Sequence, residues 1–197
     1  MKEVSLARRL LVWLRRMPHS RGFGVQSPSA YRFIRYVVSE HYPYYAYAEM
    51  RRAHPHMGAL ERKMGELFFR LANYCQASEL VSFGSVPATL AEYVARGCRR
   101  TVVKVAPCGN GASAQGVWRF VRIGEGSGGD AFLAEALRRA DDSTVLVVEA
   151  VGMSREARRL WHKLLVSKAV SVTFDLYYCG VAFFDTARFK QNYIVNF

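Results

Sequence analysis

From residue 78 onward, short apolar runs rich in β-branched residues alternate with amphipathic stretches of helical period. That alternation leaves few architectures open to the chain. The strand-like runs lie at 80–83, 101–106, 118–123, 144–149, 170–176, 181–184 and 193–197, and helical segments fill 87–96, 130–140 and 155–166. Strands separated by helices pair in parallel, because a crossover helix returns the chain to the end of the sheet it left. Residues 144–149 read Thr-Val-Leu-Val-Val-Glu, a run without alternation, as suits a strand covered on both faces. No helix separates the last strands, which predicts an antiparallel hairpin at one edge. The expected fold is therefore α/β, a mainly parallel sheet with a C-terminal antiparallel hairpin.

Residues 1–77 read differently, as a helical extension packed on an α/β domain of residues 78–197. In the first helix Leu6, Leu10, Trp13 and Leu14 fall on one face and arginines on the other. Ser27 is a candidate N-cap with Pro28 in the first turn of a second helix. Another amphipathic helix spans 59–75 through Leu60, Met64, Leu67, Phe68 and Leu71. Trp13, Tyr31, Ile34, Phe68 and Leu71 supply enough apolar surface to predict burial against the domain, with the arginines facing water. Tyr42, Tyr44, Tyr45 and Tyr47 form a dense aromatic cluster, read as packing, with stacking on RNA as the alternative.

Charge is the second constraint. The 197-residue chain carries a net +12, of which residues 1–100 hold +9 and residues 101–197 hold +3. Such an excess attracts polyanions, nucleic acid or anionic membrane, weakly and in a salt-sensitive way. Cys75, Cys98, Cys108 and Cys179 contain no C-x-x-C pair and read as reduced thiols. No apolar run reaches the ~20 residues of a membrane span, and the start lacks a cleavage-site pattern. A cytoplasmic protein without a metal is expected.

Three glycine-rich turns could hold a nucleotide, since glycine lets the backbone approach a ligand at a helix N-terminus. They are Phe83-Gly84-Ser85-Val86-Pro87, Gly109-Asn110-Gly111-Ala112-Ser113-Ala114 and Gly124-Glu125-Gly126-Ser127-Gly128-Gly129. The third matches G-x-G-x-x-G, with Asp130 as a helix cap and Glu149 placed 20 residues beyond Gly129 as a ribose acid would be. No nucleophile motif is present. His54-Pro55-His56 reads as a surface turn. Asp175, inside a strand between Phe174 and Leu176, is either a buried, hydrogen-bonded carboxylate or an outward one.

Two stretches carry a family resemblance. Gly22-Phe23-Gly24-Val25-Gln26-Ser27-Pro28-Ser29-Ala30-Tyr31-Arg32-Phe33-Ile34 resembles the N-terminal H-G-V-x-S-P-F-type segment, followed by a tyrosine-rich stretch, of a bacterial group of class I S-adenosylmethionine-dependent methyltransferase-like proteins. Residues 170–184, with the closing strand to Phe197, look like the final strands of the same group. Residues 143–161 are similar to its fifth strand and following helix. The resemblance implies a Rossmann-like sheet with S-adenosylmethionine at the C-terminal ends of its strands, near Ser82, Gly84, Ser85 and Glu149.

The departures from that pattern point the other way. The first loop keeps one glycine, Gly84, and Pro87 removes a donor. Ala106 stands where the second strand would end in a ribose-binding acid. Ile123-Gly124 replaces a D-G pair, and residues 107–118 are too few for a helix, strand and helix in series. The expectation is an eroded cofactor site, weak or absent S-adenosylmethionine binding and a binding or structural role. The alternatives are an active methyltransferase with an atypical site, and another nucleotide- or nucleic-acid-binding protein.

Overall fold

The computed structural model describes residues 5–20, 22–106 and 116–197. The turn at Gly109–Ala114 and Cys108 lie outside the described residues. Helices α1 (Leu6–Arg16), α2 (Pro28–Phe33), α3 (Tyr45–Ala53) and α4 (Ala59–Cys75) precede β1 (Glu79–Phe83). Then follow α5 (Ala88–Gly97), β2 (Val102–Val105), β3 (Phe120–Ile123), α6 (Gly129–Arg138), β4 (Val145–Glu149), α7 (Arg155–Val166), β5 (Val172–Asp175), β6 (Cys179–Phe183) and β7 (Gln191–Ile194).

The strands form one seven-stranded sheet in the order β2-β1-β3-β4-β6-β5-β7. Every neighbouring pair is parallel except the two made by β6, which runs against β4 and β5. The hairpin is thus β5–β6, but its second strand is the one inserted beside β4. β7 then adds in parallel outside β5.

Strand alternation divides the core in two. Leu80, Phe120, Val145 and Val147 point to one face, where they join Phe33, Ile34, Leu67, Phe68, Leu71, Leu90 and Val94 from α2, α4, α5 and the turn after α2. Val81, Phe83, Val121, Ile123, Leu146 and Val148 point to the other, under Phe132, Leu133, Leu160 and Leu164 of α6 and α7. The helices of the N-terminal third therefore share a core with the sheet.

Local signals act largely as the sequence proposes. Ser27 Oγ accepts from the Ala30 N–H and Ser154 Oγ from the Ala157 N–H, so both cap their helices. α2 runs on into one wide turn, Ile34–Val38, where the Ser39 N–H reaches the Ile34 carbonyl at 2.7 Å. The buried Arg70 donates to the carbonyls of Val37 (2.5 Å) and Val38 (3.3 Å) and to the Tyr47 hydroxyl (3.0 Å), closing that turn. Tyr44 and Tyr47 pack on each other and on Phe69, so this part of the tyrosine cluster serves packing, whereas Tyr42 and Tyr45 stay exposed. Asp130 is not a cap. α6 starts one residue earlier behind Gly128 in the left-handed region, and Asp130 instead pairs with Arg159 and Lys163 of α7.

Helix α1 does not bury its apolar face as expected, although Arg8 and Arg15 do face water. None of its residues is buried, and Leu6, Leu10, Trp13 and Leu14 face solvent. Arg16 turns inward, donating to the Asp175 carbonyl at 2.8 Å and its carboxylate at 3.0 Å. The physical reason lies in the partners: the turn after β5 offers carbonyl and carboxylate oxygens, which bind a guanidinium and give a leucine nothing.

Candidate functional site

At the C-terminal ends of β1, β3 and β4, the same alternation brings three polar residues to one face. Ser82 pairs in register with Arg122, and Arg122 with Val147, two residues before Glu149. Arg122 is 2% exposed and Glu149's side chain 11%. The guanidinium donates to both carboxylate oxygens, Nε to Oε1 at 2.9 Å and Nη2 to Oε2 at 2.6 Å. It also donates to Ser82 Oγ at 2.9 Å and to the Ser85 carbonyl at 3.0 Å. The planar fork of arginine fits such a bidentate partner, and the added oxygens leave little of the buried charge unsatisfied.

The glycine turns close around this cluster. Gly84 has φ +84, and a Cβ on it would lie 2.4 Å from the Glu125 carbonyl oxygen. Its lack of a side chain thus lets the loops after β1 and β3 touch. The Gly124 N–H donates to the Phe83 carbonyl at 2.9 Å, and a Cβ at Gly124 would meet the Arg122 guanidinium at 2.7 Å. The G-x-G-x-x-G run packs its later glycines on Phe83 and Leu160. Close packing between loop, ring and guanidinium accounts for those glycines.

A cavity of about 860 Å³ opens over the cluster. Its floor includes Ser85, Arg122, Glu125, Glu149 and Ala150, its apolar wall Leu60, Met64 and Leu90, and its rim Ser5, Leu6, Arg9 and His56. Glu61 also lines it and accepts from the Thr89 hydroxyl at 2.7 Å. The non-glycine Ala150 has φ +59, and its N–H donates to the Tyr178 carbonyl at 2.7 Å. Such strained backbone gathers at sites where surrounding contacts hold it.

Of the sequence-derived site residues, Ser82, Gly84, Ser85 and Glu149 all come together here. Arg122, which ties them, escaped the sequence reading. Its signal was a cation in a four-residue strand, sharing the face of Phe120. His54 stands apart, its Nε2 3.1 Å from Glu92. Asp175 proves hydrogen-bonded, accepting from Arg16 and from the Tyr177 N–H at 2.8 Å. Burial pushes the Cys75 and Cys179 thiols up, away from the reactive thiolate. Among the described residues no three His, Cys, Asp or Glu side chains could hold a metal ion, and no helix is long and apolar enough to cross a membrane.

No family model and no curated protein matches the chain. Solved structures do resemble it. An S-adenosylhomocysteine-bound methyltransferase from Podospora anserina, PaMTH1, is 10% identical, with a TM-score of 0.53, covering 84% of this chain and 97% of that one. An O-methyltransferase from Bacillus cereus, in complex with S-adenosylhomocysteine, is 12% identical, with a TM-score of 0.50, covering 75% of this chain and 95% of that one. At such identities the likeness speaks to the fold. The chain has the class I methyltransferase fold, a seven-stranded, mostly parallel sheet with an antiparallel C-terminal hairpin.

Proposed function

We propose that this protein is a methyltransferase-fold binding protein whose S-adenosylmethionine site has eroded, and that its ligand site is the cavity beneath α1 and α4. The observation that carries the reading is the engagement of Arg122 with Ser82, Ser85 and Glu149. Those are the groups a cofactor at the strand ends would need. Glu149 already accepts a bidentate pair, the Ser85 carbonyl is occupied, and Gly84 is covered by the Glu125 backbone. The residues present do not fit that cofactor. The strained Ala150 and the mixed lining suit a small polar molecule with an apolar part. Weak, salt-sensitive attraction to polyanions through the basic N-terminal half belongs to the same reading.

A second reading, an active methyltransferase with an atypical site, is favoured by the cavity's volume and by its position where sheets of this kind open to ligands. Thermal-shift screening against small polar metabolites separates the two. The binding-protein reading expects a metabolite to raise Tm in the native protein and not in Met64→Trp, which fills the cavity wall. Stabilisation by S-adenosylmethionine or S-adenosylhomocysteine alone would favour the enzyme.

A further inference from the structure

Helix α1 is docked the wrong way round for a helix whose partner is its own core. Leu6, Leu10, Trp13, Leu14 and Met17 lie at i, i+4, i+7, i+8 and i+11, one continuous stripe, and are 80%, 59%, 49%, 53% and 54% exposed. The opposite side holds the helix down. Arg16 binds Asp175, Arg8 Nε donates to the Tyr177 hydroxyl at 3.2 Å, and Asn196 Nδ2 donates to the Trp13 carbonyl at 3.3 Å. The polar contacts fix the helix and present its apolar stripe outward.

We propose that this stripe is a membrane-contact surface that seats the protein on anionic lipid bilayers. Eleven residues cannot span a bilayer, but they can lie in its interface. Leucines with a tryptophan suit the boundary between headgroups and acyl chains. The charge of this stretch is complementary to anionic lipid: residues 4–39 contain seven arginines and no carboxylate, and although Arg16 is taken up by Asp175, Arg8, Arg15 and Arg32 are exposed. A second copy would bring two such acid-free segments together. A stripe of five side chains also falls well short of the roughly 20–30 residues per partner of a standard interface. Nucleic acid would use the arginines and leave the leucines in water.

The test uses the full chain and vesicles of phosphatidylcholine, with or without an equal part of phosphatidylglycerol. The protein should sediment with the anionic vesicles, remain in solution with the neutral ones, and be released by salt. Tryptophan emission should shift to the blue on binding, since Trp13 is exposed while Trp118 and Trp161 are buried. The double variant Leu10→Glu, Leu14→Glu alters only exposed positions, so it should fold, with an unchanged melting curve, and partition at least about tenfold less. Absence of binding to anionic vesicles, equal binding to neutral ones, or equal binding by the double variant would overturn the proposal. So would a dimer in sedimentation equilibrium that the double variant dissolves while vesicles leave the native protein free; that outcome assigns the face to a second copy.

Discussion

The ends of β1, β3 and β4 and the helix α1 treat arginine in similar ways and apolar residues in opposite ones. At the strand ends Arg122 is almost wholly buried, and its surroundings supply a carboxylate, a hydroxyl and a carbonyl. In α1, Arg16 also turns inward, toward a carboxylate and a carbonyl, and the leucines are left in water. Partner geometry decides where the guanidinium goes in both places. The apolar residues follow it: at the sheet they are already covered, whereas on α1 they are displaced to the surface.

The contrast is tested most strongly at Arg122. Replacing Arg122 by Leu leaves the Glu149 carboxylate and Ser82 hydroxyl buried without their donor, and should cost about 3–5 kcal/mol in denaturant unfolding. The double change Arg122→Leu, Glu149→Leu should recover most of that loss, because no lone charge remains. A double variant no more stable than the single one would show that the site is held by packing instead of pairing.

Gly84→Val comes next. The left-handed backbone and the Glu125 carbonyl at 2.4 Å should together cost at least about 2 kcal/mol in the same measurement. The variant is therefore a poor probe of ligand binding, since any loss of binding would be confounded by the fold.

Lys63 of α4, near Arg9 of α1, sharpens the comparison. Burial, then the nearby Arg9 and Arg70, lower its pKa from 10.5 to about 8, with Glu66 opposing, and its ammonium lies 4.4 Å from the centre of the Phe197 ring. The folded chain thus releases this proton before the unfolded chain does. The group's contribution to stability should rise as pH climbs from about 8 to 10.5, and its unfavourable share is fully present below that window. Lys63→Met should abolish that rise and add about 1–2 kcal/mol at pH 7. A melting series across the window reads both. The smallest effect belongs to the outward face: Leu10→Ser with Leu14→Ser should change stability by no more than about 0.5 kcal/mol, as surface positions do. A loss of several kcal/mol would mean that the stripe packs against the protein.

The sheet was legible because burial on both faces leaves an unmistakable run at 144–149 and because crossover helices enforce parallel pairing. The hairpin could be read from the missing helix, but the insertion of β6 beside β4 could not, since pairing order is decided by which edge is free. The resemblance points to Ser82, Gly84, Ser85 and Glu149, and the structure gathers them around Arg122. Arg122 was missed because a single cation in a short strand carries no sign of which way it points until the neighbouring registers are known. The orientation of α1 is hidden in the sequence for a related reason. Its period gives two faces, and periodicity alone assigns the apolar one to the core, whereas the oxygens around Asp175 claim the arginine.

The most direct measurement is calorimetric titration of the native chain with S-adenosylmethionine and S-adenosylhomocysteine. On the proposed reading, Glu149 and the Ser85 carbonyl, which Arg122 holds, are the groups such a ligand would need. The account expects dissociation constants no tighter than about 1 mM for both. Micromolar binding of either would contradict it, for Arg122 would then have to yield the strand ends to the cofactor.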